Sequence, residues 1–198
     1  MENKIKFSNE NLSNYYLTML LINNSSKNYT LSESCEQFLE RFKHFYNIDE
    51  SNEVYVRMFE YSKLSLEYYQ KQSAITMMFH LFEQFIKVFF NISTNENYFS
   101  EANKIVKKYD YKFEDNTYYE LFNKYRLLNN AIKHGGIKEL KKLYPELINT
   151  DCDANKYGTI LDNSLNIDNS IIDECCISLC EFISEMYAYF YDNEYIDE

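Results

Sequence analysis

Only three glycines and one proline punctuate 198 residues, and that scarcity constrains the fold more tightly than any other feature. A β-sandwich or barrel needs a turn signal about every 8 to 12 residues, and a phosphate-cradling loop needs clustered glycines; this chain has the residues for neither. Long helices remain. Twenty tyrosines and 15 phenylalanines, with no tryptophan, give those helices an aromatic core. A chain of this length supports one such core, so residues 1–198 are read as a single helical domain.

Apolar spacing locates the helices. One is expected over about Leu12 to Ile22, followed by a polar loop at Asn23-Asn24-Ser25-Ser26. A second starts behind Ser32 or Ser34, with Cys35, Phe38, Leu39, Phe42 and Phe45 on one face. The longest runs from about Glu53 to Phe90 with an optional break at Gln70 to Ser73; from Ala74 onward it is apolar nearly all round, which calls for cover by several neighbours or a second subunit. Ser100 offers an N-cap for a short helix to Tyr109. Thr117 to His134 is closed by Gly135-Gly136, and the basic stretch Ile137 to Tyr144 is stopped by Pro145. Thr159 to Leu161 and Leu165 to Ile167 could form one short β-hairpin within 158–168. A last amphipathic helix covers about Asn169 to Tyr191 and leads into an acidic tail expected to fray. The expected architecture is an all-α, up-and-down bundle of five to seven helices.

Charge narrows the partners. Thirty-one Asp and Glu against 20 Lys and Arg leave a net charge of −11, which repels a polyanion at long range and excludes broad electrostatic coating of nucleic acid, while leaving room for a small local site. No apolar run reaches the roughly 18 residues of a membrane span, and the start Met1-Glu-Asn-Lys lacks the apolar region of a signal peptide, so a soluble, cytoplasmic protein without membrane contact is expected. Cys35, Cys152, Cys175, Cys176 and Cys180 are an odd set without a C-x2-C pair, read as reduced thiols, with Cys176 and Cys180 filling a helix face.

Two helices carry polar groups where core is expected. His80, Glu83 and Gln84 share one side of an otherwise apolar run. A buried carboxylate there needs a cation, and the alternatives are a core salt bridge or a solvent-facing strip. On the second helix Arg126, Asn130, Lys133 and His134 lie within about 100° of one another around the axis. Together they offer a fixed cation, a neutral orienting amide and a group able to carry a proton near neutral pH, as phosphodiester cleavage requires. The plainer alternative makes Arg126 a surface ion pair and His134 a capping side chain at the helix C-terminus. Glu83 is expected to approach Arg126 or His134, with His80 beside them. A metal set of His80, Glu83 and His134 is the minor alternative.

The run Arg126-Leu-Leu-Asn-Asn130-Ala-Ile-Lys133-His134-Gly resembles the signature helix of the HEPN superfamily, and Phe79-His80-Leu-Phe-Glu83-Gln84-Phe-Ile-Lys resembles the helix that precedes it in bacterial members. The resemblance spans Ala74 to Leu147. It implies an all-α fold and, as in many members, a metal-independent endoribonuclease of a bacterial toxin–antitoxin or anti-phage defence system. On that resemblance the ribose 2′-hydroxyl attacks the adjacent phosphate while His134 moves a proton, Arg126 stabilises the phosphoryl oxygens and Asn130 holds the geometry. His80, Glu83, Gln84 and Lys133 would orient them, with no metal and no cofactor. Two subunits would face each other across a twofold axis as a homodimer acting on RNA, with an antitoxin or defence subunit as a protein partner. Seven residues separate Arg126 from His134, where the family's common pattern has four to six. The other reading the resemblance allows is a non-catalytic binding or regulatory subunit of a defence complex.

Overall fold

The computed structural model of the chain describes residues 4–28, 37, 40, 41, 44, 53–93, 97–148 and 165–197. Six α-helices of defined extent lie among them: α1 (Asn9–Asn28), α2 (Glu53–Phe89), α3 (Tyr98–Val106), α4 (Tyr119–His134), α5 (Lys138–Leu143) and α6 (Asn169–Asp192). Short 3₁₀ turns at Lys107–Tyr109, Phe113–Asp115 and Pro145–Leu147 supply the corners. The all-α expectation holds.

The buried faces run in alternating directions. Tyr16 bonds to Ser184, and Asn23 to Asp173, so α1 lies antiparallel to α6. Tyr125 reaches Glu174 while the Thr117 amide reaches Glu185, so α4 is antiparallel to α6 as well. Phe82 meets Phe182, and Phe89 meets Phe190, so α2 and α6 run parallel. Both α1 and α4 pack against α2 and α6, from opposite sides. The centre is aromatic, as composition suggests. Phe122 packs on Phe182 at 4.7 Å and on Phe82 at 5.0 Å between ring centroids, and Phe99 stacks on Phe113 at 4.9 Å. A second group, Phe7, Phe85, Phe89 and Phe190, fills the other end.

Three boundaries differ from the sequence reading, each for a tertiary reason. First, α1 continues through the polar Asn23 to Asn28 because Asn23 and Lys27 both bond Asp173 of α6 and Ser26 bonds back to the Asn23 carbonyl; those bonds outweigh the loop preference of Asn and Ser. Second, α2 passes Gln70 to Ser73 without a break, and at 37 residues is about 55 Å long. Third, Ser100 is not a cap: α3 starts behind Asn97, whose carbonyl receives the Ser100 and Glu101 amides.

The acidic tail does not fray either. Tyr195 packs on Tyr109 and Phe190, Ile196 is buried, and β2 (Ile196–Asp197) pairs in parallel with β1 (Ile5–Lys6), the Ile5 amide donating to the Tyr195 carbonyl at 2.8 Å. Of the expected hairpin, 158–164 lies outside the described residues. Leu165 bridges antiparallel to Ile148, and the Asn166 amide bonds the Leu147 carbonyl at 2.9 Å. The apolar stripe expected over Cys35 to Phe45 also falls outside the described residues, whereas Gln37, Glu40, Arg41 and His44 are helical and exposed. Cys175 and Cys176 are buried free thiols and Cys180 is half-buried; Cys35 and Cys152 are outside the described residues. No described helix is long and apolar enough to cross a membrane.

Candidate functional site

Helix α4 turns Phe122, Tyr125, Leu128 and Asn129 into the core. Its last residues project beyond that core, and Gly135, at φ 69°, closes it by donating its amide to the Ala131 carbonyl at 2.8 Å. A left-handed conformation there costs glycine least, since it has no Cβ. The four polar residues of the expected stripe consequently meet two different environments.

Arg126 sits at the α2 side. Its Nε and one Nη donate to Asn123 Oδ1 at 3.1 and 2.7 Å, which turns the guanidinium back along α4. On α2, Glu83 Oε1 accepts from Lys87 Nζ at 2.5 Å, both side chains mostly shielded. The Lys87 ammonium also lies 5.8 Å from the Tyr98 ring centroid. Burial pushes the Tyr98 hydroxyl well above the usual tyrosine range; the Glu83 charge adds to that rise and the Arg126 charge opposes it. Tyr98 is thus within electrostatic reach of both charges. Glu83 finds a cation, Lys87, four residues along its own helix, and among the described residues it forms no ion pair with Arg126 or His134. His80 and Gln84 face solvent, so only Glu83 of that stripe enters the cluster.

Asn130, Lys133 and His134 are exposed at the other end of the edge. Eight residues of helix put His134 about 12 Å along the axis from Arg126, and the Asn123 bonds hold the guanidinium in the opposite direction. One chain thus does not bring Arg126 and His134 to a common point. His134 has different company. It opens a basic stretch of sequence: from Lys133 to Lys142, Lys133, Lys138, Lys141 and Lys142 are all exposed and Glu139 is the one acid, on a chain whose net charge is −11.

Lys87, Tyr98 and Asn123 are the members of the Arg126 cluster that sequence spacing did not single out. Lys87 carried a usable signal, since a Glu and a Lys four apart on a helix face one another. Tyr98 carried none, because it arrives from a different helix. Asn129, buried with no partner for Oδ1, is a further polar group on the core face of α4. Among the described residues no three of His, Cys, Asp and Glu converge as a metal site, and His80, Glu83 and His134 do not form one. Compared with protein-family models, curated proteins and solved structures, the chain matches none.

Proposed function

We propose that the protein acts on RNA through the His134 edge, as a HEPN-like, metal-independent endoribonuclease of a bacterial toxin–antitoxin or anti-phage defence system. The observation that carries this reading is local: an exposed histidine at a helix C-terminus, one turn after the exposed Asn130 and within a stretch that exposes four lysines, on a protein that is otherwise strongly acidic. Such an edge attracts a phosphate backbone over a few contacts while the rest of the surface repels it. In the proposed reaction the ribose 2′-oxygen bonds to phosphorus, the 5′-oxygen leaves, and His134 carries the proton, so the products end in a 2′,3′-cyclic phosphate and a 5′-hydroxyl.

The homodimeric cleft that the HEPN resemblance implies would bring two such edges together. The exposed side of α4 has no large apolar residue among those described, so the RNA itself would have to hold the two basic edges in place. A second reading, a non-catalytic RNA-binding or regulatory subunit docked to an antitoxin or defence protein, is favoured by one observation: Arg126 is bonded to Asn123 and turned away from His134.

One experiment separates the two. Purified protein is incubated with single-stranded RNA in EDTA, beside His134→Ala and Arg126→Ala. Cleavage by wild type alone supports the nuclease. Cleavage that survives Arg126→Ala but not His134→Ala keeps the nuclease and removes the arginine from its chemistry. Binding without cleavage selects the regulatory subunit, and neither binding nor cleavage overturns both.

A further inference from the structure

The outer face of α1 is unlike any other described surface of the molecule. Leu17, Leu20 and Leu21 are 59%, 52% and 57% exposed. Met77 of α2 continues the patch on one flank, where Leu21, Ile22, Tyr69 and Met77 line an open groove of about 480 Å³. Ile177 of α6 continues it on the other: Asn23 bonds Asp173 and Tyr16 bonds Ser184, which puts Leu20 level with Ile177. Isolated exposed leucines need no explanation, but a contiguous apolar face usually marks a docking site.

Charge and register say what fits it. From Asn11 to Ser26 the helix carries no ionisable acid or base apart from two tyrosines, in a chain that is 26% charged. Two copies, each at −11, repel at most approaches, and an uncharged face is where that repulsion is least. The outermost line of α1 is also self-complementary. Asn14, Leu17 and Leu21 recur at the three-and-four spacing of a helix seam. A second α1 laid antiparallel, with the twofold axis at the level of Met19, sets Leu17 against Leu21 of the second copy and Leu21 against its Leu17, while Leu20 meets its own counterpart on the α6 flank. At either end the acidic first turn, Glu10, comes opposite the last turn bearing Lys27, itself already paired to Asp173. A parallel arrangement would put like ends together.

We infer that this face is a twofold interface between two copies of the chain, formed by α1 packing antiparallel on α1. The inference does not rest on the RNA reading. Because α1 and α4 lie on opposite sides of α2 and α6, the pair leaves both His134 edges outward, so it supplies dimerisation without forming the composite cleft.

The test is the solution mass. Wild type at tens of micromolar should sediment at about 48 kDa, twice the 23.9 kDa chain. Leu17→Asp and Leu21→Asp, both at exposed positions, should each sediment as a monomer with unchanged helical content, melting lower than the wild type by no more than the lost association contributes. Mixing Leu17→Asp with Leu21→Lys should restore the dimer, because the antiparallel register makes one Asp–Lys pair and keeps one Leu–Leu pair. A wild-type monomer throughout that range overturns the interface, as does a dimer indifferent to both substitutions. Monomeric single variants that fail to pair when mixed overturn the antiparallel register.

Discussion

Helices α1 and α4 occupy opposite sides of the same two-helix centre and bury similar material: Tyr15 and Met19 in one case, Phe122, Tyr125 and Leu128 in the other. Their outer faces differ in bias. α1 shows leucines and uncharged amides to solvent, whereas α4 with its continuation α5 shows Asn130, Lys133, His134 and three further lysines. The inward faces answer to one requirement, the removal of apolar area from water, and so converge. Outward positions contribute little to folding, so a bias there reports interaction: apolar surface for a protein, basic surface for a polyanion.

The comparison assumes that both corners stand on one cooperative core, and the largest expected effect tests that. Phe182 touches Phe82, Phe113 and Phe122 at 5.8, 5.6 and 4.7 Å. Its truncation to Ala should cost about 3–5 kcal/mol, read as a single shifted transition in urea. Two transitions, with α1 surviving the loss of α4, would show that the corners are separate units.

Next in size is the contrast in function. Lys141→Glu and Lys142→Glu should weaken RNA binding and each lower the slope of log affinity against log salt by about 1, as for any phosphate-contacting lysine. Stability should change by no more than about 0.5 kcal/mol, since both side chains are exposed. Leu17→Asp should leave that slope untouched. If the leucine variant alters RNA affinity as much as the lysine variants do, the division of labour between the corners fails.

How far these features were legible in the sequence depends on the range of the interaction that makes them. The extent of α4 is written locally, in its apolar spacing and Gly135. The separation of Arg126 from His134 is implicit in the eight-residue interval, yet the direction of the guanidinium is set by Asn123, and a side-chain rotamer is not a property of spacing. Glu83 looked in need of a distant cation because its helix is so apolar; the answer, Lys87, stood one turn away. The α1 extension over Asn23 to Asn28 and the β1–β2 pair were beyond reach, since the first depends on Asp173 and the second joins opposite ends of the chain. The uncharged exterior of α1 is in the sequence, but only the fold shows which leucines remain outside.

The Glu83–Lys87 pair beside α4 gives a smaller effect. Lys87→Met removes the ammonium and leaves the carboxylate shielded without its cation. The cost should be about 1–2 kcal/mol, below the 3–5 of a fully buried pair because both groups keep some contact with water. Glu83→Gln together with Lys87→Met should recover part of it, measured as a double-mutant cycle in urea. Equal loss in the single and double variants would mean that the pair contributes nothing as a pair.

The smallest effect concerns the helix both corners lean on. Asp168 caps α6: its Oδ1 accepts from the Ser170 hydroxyl at 2.6 Å and from the Ile171 amide at 2.9 Å. Those two bonds, the Ser170 one foremost, hold its carboxyl below the usual value of 3.8. Asp173, one turn later, is lowered in the same direction by Lys27 first and then by Asn23 of α1. Because the folded value is depressed, the unfolded chain takes up the proton first as the pH falls. The stabilisation is therefore complete above the unfolded value, near 3.8, and is lost as the pH drops through the lower folded one. Asp168→Ala should cost about 1 kcal/mol at pH 7, the ordinary worth of an N-cap, and Asp173→Ala less, since its pair with Lys27 is exposed. Both deficits should shrink toward zero in urea titrations taken progressively below the unfolded value. A deficit that grows on acidification would mean that the protonated forms hold α6, and with it the attachment of α1, by bonds of a different kind.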